Sequence, residues 1–253
     1  MIIIGSGRVG GGLKLRADRV GVAATMVSRR DGWAAVRADE SGPILVCVNA
    51  GDLGNILDST PTARHDDLVF IQNGMLDTFL SDRRLAANSR GLLYFAVPKR
   101  GVEPQPGGPS IFAGLHANAM VAFFQSIELE AQAVSKSEFS NEMATKLIWN
   151  CVFGLLCEVL DIPVGQICTD HRAAIDSLVE ELVTVANVGI DTSLDAATTS
   201  DSLVAYSNSI PNYQGALKQW EWRNGWFVDA AKRLNIVTPT HHKFLVGRRP
   251  VGR

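Results

Sequence analysis

Met1-Ile2-Ile3-Ile4-Gly5-Ser6-Gly7-Arg8-Val9-Gly10 runs an apolar stretch straight into a GxGxxG turn, and this segment decides the fold. Glycines at that spacing permit a tight turn, a close backbone approach to a pyrophosphate, and close packing of the following helix on the strand. The unpaired N–H groups and the dipole at that helix's start attract an anion. Gly5, Ser6, Gly7, Arg8, Val9 and Gly10 are therefore candidate cofactor-binding residues. Glycine triplets also occur in ordinary loops, so the pattern downstream has to carry the reading.

A second apolar run, Val22 to Val27, ends in Ser28-Arg29-Arg30, where a dinucleotide fold presents its ribose-reading residue. A carboxylate there would accept the ribose hydroxyls of NAD, whereas arginine suits a 2′-phosphate. Ser28 and Arg29 thus favour NADP(H); the alternative is a pair of solvated arginines at a strand end. Two further runs, Ile44 to Val48 and Leu68 to Ile71, have the length and continuous apolarity of buried parallel strands. Ligands in open α/β sheets sit beyond the carboxyl ends of such strands, which makes Asn49 and Asn73 candidate cofactor contacts. Asn73-Gly74 is alternatively a plain turn dipeptide. Leu92 to Val97 and Ile111-Phe112 flank a Pro- and Gly-rich loop, Pro98 to Pro109, as a hairpin or sheet extension. A helix over Ala117 to Ile127 and a strand near Ala131 to Val134 would close a first domain, with Ser135 to Ser140 interrupting the pattern.

From Asn141 the periodicity turns helical. Met143 to Leu160 places apolar side chains all round the helix, the mark of a buried one. Lys146 and Asn150 share a face of it, and Gly154 continues that face one turn on. A lysine on a buried helix must be paired, open into a solvated cleft, or snorkel outward. Arg172 to Gly189 predicts a second long helix, followed by a polar loop from Asp191 to Ser202. Ala205 to Tyr213 is too polar for core and either lines a site or connects elements at the surface. Gln214 to Leu234 predicts a last helix bearing Trp220, Trp222 and Trp226, and the end from His241 to Arg253 is basic and frayed.

A chain of 253 residues, 46% hydrophobic and 20% charged with a formal net charge of -2, has an ordinary globular composition and room for two domains. Nothing in it points to nucleic acid or an anionic membrane surface. The opening lacks the basic region and apolar length of a signal peptide, and no apolar run suggests a membrane span. The four cysteines form no CxxC pair and are expected to be reduced thiols in a cytoplasmic protein. No metal site is expected, since the histidines make no HExxH and no ligand spacing with cysteine. Neither a GxSxG elbow nor a P-loop lysine is present, which argues against common hydrolases and triphosphatases.

Taken in order, Gly5-Ser6-Gly7-Arg8-Val9-Gly10, the strand ending in Ser28-Arg29, Gln72-Asn73-Gly74 and Thr145-Lys146-Leu147-Ile148-Trp149-Asn150 resemble the ketopantoate reductase family over nearly the whole chain. The lysine-to-asparagine spacing is the most specific match. The resemblance implies an α/β fold, a Rossmann-type NADP-binding domain over 1–138. It also implies an all-α substrate and catalytic domain over 139–253 of the 6-phosphogluconate dehydrogenase C-terminal-like type. It further implies NADPH-dependent reduction of 2-dehydropantoate, as in pantothenate biosynthesis, with Lys146 as general acid. Asn150 would hold substrate or position the lysine, Asn73 would sit near nicotinamide and substrate, and Asn224-Gly225 would match the terminal helix motif.

The chain also departs from that pattern. Asn49 stands where the family usually has lysine, and Gly154 where it has a second asparagine, leaving room beside Asn150 for a bulkier substrate. The family's acidic residue falls on Gln219, with Glu221 the nearest carboxylate, and its Ser-x-x-x-Asp stretch falls on Ser207 to Pro211. The leading expectation is a monomeric or homodimeric NADPH-dependent reductase of a small 2-oxo acid or related ketone, with Asn73, Asn150, Ser207 and Glu221 at the substrate. The alternatives are a non-catalytic NADP(H)-binding or sensing protein and an opine-type dehydrogenase.

Overall fold

A computed structural model describes residues 1–105 and 107–247; Pro106 in the expected loop and the tail beyond Gly247 lie outside the described residues. The backbone divides into two compact units, Met1–Phe139 and Ser140–Arg253. The first holds β1 (Ile2–Ile4), α1 (Arg8–Arg19), β2 (Thr25–Val27), β3 (Ile44–Val46), α2 (Leu53–Ser59), β4 (Leu68–Phe70) and α3 (Asp77–Asp82). It continues with β5 (Arg90–Leu92), β6 (Ser110–Ala113), α4 (Ala117–Ser126) and β7 (Ala131–Ala133).

These strands form one seven-stranded sheet in the order β2-β1-β3-β4-β5-β6-β7. Every pairing is parallel except β5 with β6. Ile3, Leu45, Val69 and Phe112 share a buried cluster with Leu13 and Ala17 of α1 and Met120, Phe123 and Phe124 of α4. Their strand neighbours Ile4, Ile44, Val46 and Phe70 are buried as well. A sheet buried on both faces needs continuous apolar strands, which is why period-two alternation is missing from the sequence. The ladders stop after three residues, short of the apolar runs, because Cys47, Val48 and Ile71 already belong to the loops beyond the sheet. The expected hairpin is present, with β5 shifted to Arg90–Leu92 and its far end marked by a lone bridge between Ala96 and Gln105.

The second unit contains most of α5 (Lys136–Leu160), then α6 (Val164–Asp170), α7 (Arg172–Gly189), α8 (Ala196–Ser209), α9 (Asn224–Leu234) and α10 (Pro239–Leu245). Four expectations are corrected here. Ser135 to Ser140 does not break the pattern: the Ser135 hydroxyl accepts from the Glu138 N–H at 3.2 Å and the Glu138 carboxylate from the Ser135 N–H at 2.8 Å. That is a capping box, and it starts α5 five residues before Asn141. The polar stretch from Asp191 on is helix from Ala196 to Ser209, capped by the Asp195 carboxylate on the Thr198 N–H. The helix expected from Gln214 begins only at Asn224, because Gln219 takes a left-handed conformation (φ 50°) and Arg223 an irregular one (φ -130°, ψ -110°). By length and composition α5 is apolar enough to cross a membrane, contrary to the expectation of no such run; 61% of its most apolar window is buried within the protein.

Candidate functional site

In the first unit the glycine turn is built as its spacing requires. Gly5 has φ +106°, and a Cβ there would stand 2.8 Å from the Cys47 carbonyl oxygen. A Cβ on Gly10 would come within 2.0 Å of the Gly5 carbonyl oxygen, so only hydrogen allows α1 to start against β1. Gly7 differs. It caps α1, whose first turn has no acidic residue, and a Cβ on it would meet nothing nearer than 4.0 Å. The turn therefore opens a cradle at the positive end of a helix, which is what a pyrophosphate needs. Ser6 and Arg8 are exposed beside it, while Val9 is half-buried and packs on the sheet core.

The strand ends converge by register. Ile4 pairs with both Val27 and Val46, and Val46 pairs with Phe70. Gly5 and Ser28 thus each follow their last paired residue, and Asn49 and Asn73 each lie three residues past theirs; both asparagines are exposed. Gln72, which the sequence reading did not single out as a site residue, braces this rim. Its amide nitrogen donates to the Val46 carbonyl at 2.9 Å and to that of Val48 at 3.1 Å, while its Oε1 is buried without a hydrogen-bond partner. Ser28 donates to the Asp31 carboxylate at 2.6 Å. Asp31 also escaped the sequence reading, hidden behind the arginine pair, although its offset from Gly10 is that of a ribose-binding acid.

In the second unit, Lys146 and Asn150 lie one turn apart on α5, and the Asn150 amide donates back to the Lys146 carbonyl at 2.7 Å. Burial, with a lesser contribution from the Arg223 guanidinium, pushes the Lys146 ammonium down to about 8. Arg223, immediately before α9, is itself lowered by burial. Trp149 stacks on Phe153 and contacts Tyr206 and Tyr213. Its indole N–H donates to Ser207 at 2.9 Å.

Ser207 is fully buried, and its hydroxyl also donates to the Leu203 carbonyl at 2.8 Å; it anchors α8 to α5 and is not open to a substrate. Gly154 leaves no spare room either. A Cβ there would stand 2.9 Å from the Ala216 carbonyl oxygen, so the glycine is where the segment before α9 crosses α5. Gln219 and Glu221 are both exposed. Asn224 is buried, its Oδ1 2.8 Å from Nε2 of His241. A Cβ on Gly225 would meet the Trp220 indole nitrogen and carbonyl oxygen at 2.6 Å, so this pair locks the end of the helical unit. Among the described residues no three His, Cys, Asp or Glu side chains cluster as metal ligands.

A mostly parallel seven-stranded sheet with a glycine turn after its first strand, followed by a helical unit, defines a two-part α/β-then-α class of fold. Residues 138–246 match the family model described as ketopantoate reductase PanE/ApbA C terminal. Over nearly its whole length the chain shares a fold with a dimeric ketopantoate reductase from Staphylococcus aureus, at 14% identity, TM-score 0.77, and coverage of 97% of this chain and 96% of that one. The 2-dehydropantoate 2-reductase from Methylococcus capsulatus gives 17%, 0.77, and 97% and 94%. A D-mandelate dehydrogenase solved with NADH and anilino(oxo)acetate gives 15%, 0.73, and 96% of each chain. No curated protein matches in sequence. Residues 138–246 thus match the C-terminal domain of that description, and nearly all of the chain shares the fold of these three structures.

Proposed function

We propose that this protein reduces a small 2-oxo acid or a related ketone to the hydroxy acid or alcohol, using NADPH bound by the first unit. The observation that carries the reading is Lys146, half-buried on a core helix with its ammonium held near pH 8. The glycine cradle fits a dinucleotide pyrophosphate, and Asn49, Asn73, Ser28 and Arg29 flank it along the strand ends. Bound NADPH supplies the hydride. Lys146 then donates a proton to the oxygen on which charge develops and regains it from solvent. Asn150, whose amide donates to the Lys146 carbonyl, stiffens that turn of α5, and Asn150 and Asn73 are the proposed substrate contacts. Reduced cysteines suit a cytoplasmic enzyme, working as monomer or homodimer.

Incubation with NADPH and a panel of 2-oxo acids, followed by nicotinamide absorbance, tests the reading. Turnover on at least one member is expected, with kcat lower by about 100-fold or more in Lys146→Ala. Undiminished turnover in that variant would overturn the role of Lys146. The second reading, a non-catalytic NADP(H)-binding protein, is favoured by the occupied Ser207 hydroxyl and the filled space at Gly154. It predicts tight NADPH binding by calorimetry with no turnover on any ketone.

A further inference from the structure

The turn that follows β2 holds two opposed determinants of cofactor choice. Ser28 leaves the sheet directly beside the glycine turn, since the Gly5 N–H donates to the Val27 carbonyl at 2.8 Å. Any dinucleotide on that turn therefore brings its adenosine ribose to Ser28 through Gly32. The five residues close on themselves: the Gly32 N–H donates to the Ser28 carbonyl at 2.9 Å, and Gly32 has φ +77°. Arg29 and Arg30 are exposed on this turn and supply positive charge.

The Ser28 hydroxyl, however, is committed. Its proton goes to the Asp31 carboxylate at 2.6 Å, and its oxygen accepts from the Arg30 N–H at 3.2 Å and the Asp31 N–H at 3.3 Å. A hydroxyl has one donor and two acceptor positions, so Ser28 has nothing left for a phosphate. Asp31 is exposed and acceptor-only when ionised, with lone pairs beyond the one Ser28 uses. A ribose diol brings two O–H donors and no charge to it. A 2′-phosphate brings only acceptors and negative charge, and must face the carboxylate or displace it from Ser28.

We propose that Asp31 sets the cofactor preference of this chain, offsetting Arg29 and Arg30 so that NADH binds as well as NADPH. The proposal rests on the dinucleotide reading above and deepens it. Its test is calorimetric binding of NADPH and NADH, each alone, to the wild-type protein and to Asp31→Asn and Asp31→Ala, with melting temperatures to show that the variants fold. In the wild type the two dissociation constants are expected to lie within about tenfold of each other. Asp31→Asn removes the charge but keeps an acceptor for Ser28, and is expected to shift the ratio toward NADPH by about tenfold. Asp31→Ala also frees the Ser28 hydroxyl and is expected to shift it further. A ratio unchanged in both folded variants, or a wild type that binds NADPH and rejects NADH, overturns the role given to Asp31. A wild type that binds neither cofactor overturns the dinucleotide reading itself and this proposal with it.

Discussion

Gly154→Ala places one methyl group where the structure has none to spare. In an exposed helix interior the same change stabilises by about 1 kcal/mol, because glycine has the greater backbone freedom to lose. Here the new Cβ stands 2.9 Å from the Ala216 carbonyl oxygen and 3.5 Å from its carbon, inside van der Waals contact, and the opposing atoms are backbone that no rotamer change can move. Overpacking of this kind costs about 1–3 kcal/mol, so the clash outweighs the propensity gain and the net loss is about 1 kcal/mol. At this chain length that lowers the melting temperature by about 3 °C. Asn, the residue the family resemblance leads one to expect there, brings three more heavy atoms and lowers it further. Gly54→Ala, on α2 with nothing within 4 Å of its Cβ, serves as the matched control and is expected to be neutral or stabilising. Circular-dichroism melts of the three variants decide the matter. A Gly154→Ala protein as stable as the control would refute the claim that the Ala216 backbone fills this position.

Other expectations follow from the same geometry. A reductase that uses the Lys146 ammonium as acid is most active below about pH 8, and kcat falls as the lysine deprotonates above it; Arg223→Gln moves that alkaline limb to higher pH, read from the kcat profile. His241, fully buried, has its imidazole held down at about 4 chiefly by burial. The unfolded chain takes up a proton near 6.5 that the folded chain refuses, so stability is full above about pH 6.5 and falls toward pH 4 by up to about 1.4 kcal/mol per unit. Denaturant titrations across that range should show the slope, and His241→Gln should remove its contribution. Gln72→Leu deletes two hydrogen bonds, to the Val46 and Val48 carbonyls, leaving both acceptors to find other partners, and is expected to destabilise by about 2 kcal/mol and weaken NADPH binding severalfold by calorimetry.

The first unit was legible because its constraints are local. A glycine that must avoid the Cys47 carbonyl, or a strand buried on both faces, leaves a mark within a few residues. That Lys146 and Asn150 share a helix face was legible through their spacing, which the continuous α5 preserves. The rest failed for identifiable reasons. The buried face of α8 consists of Thr199, Ser200, Leu203 and Ser207, so a helix whose inward side is mostly hydroxyl showed no apolar stripe. Ser135 and Glu138 looked like a polar interruption because a capping box is polar by construction. The left-handed Gln219 carries none of the glycine or asparagine signal usual for that conformation. Asp31 was illegible because it directly follows Arg29 and Arg30, whose charge favours the opposite ligand group.

The departures in the helical unit are linked through one segment. Pro211 replaces an expected aspartate, and Gly154 an expected asparagine. The Gly165 N–H donates to the Pro211 carbonyl at 3.0 Å and the Val164 N–H to that of Tyr213 at 3.0 Å. A Cβ on Gly165 would lie 2.7 Å from the Pro211 side chain, as one on Gly154 would lie against Ala216. The two glycines and the proline therefore act together, seating residues 211–216 directly on α5 and α6. Independent loss of substrate contacts would leave gaps, whereas here each missing side chain is filled by backbone or ring from the same segment. That pattern argues for one rebuilt segment over a series of independent side-chain losses. It also predicts that restoring single residues, by Pro211→Asp or Gly154→Asn, yields less stable protein and no gain in 2-dehydropantoate reduction.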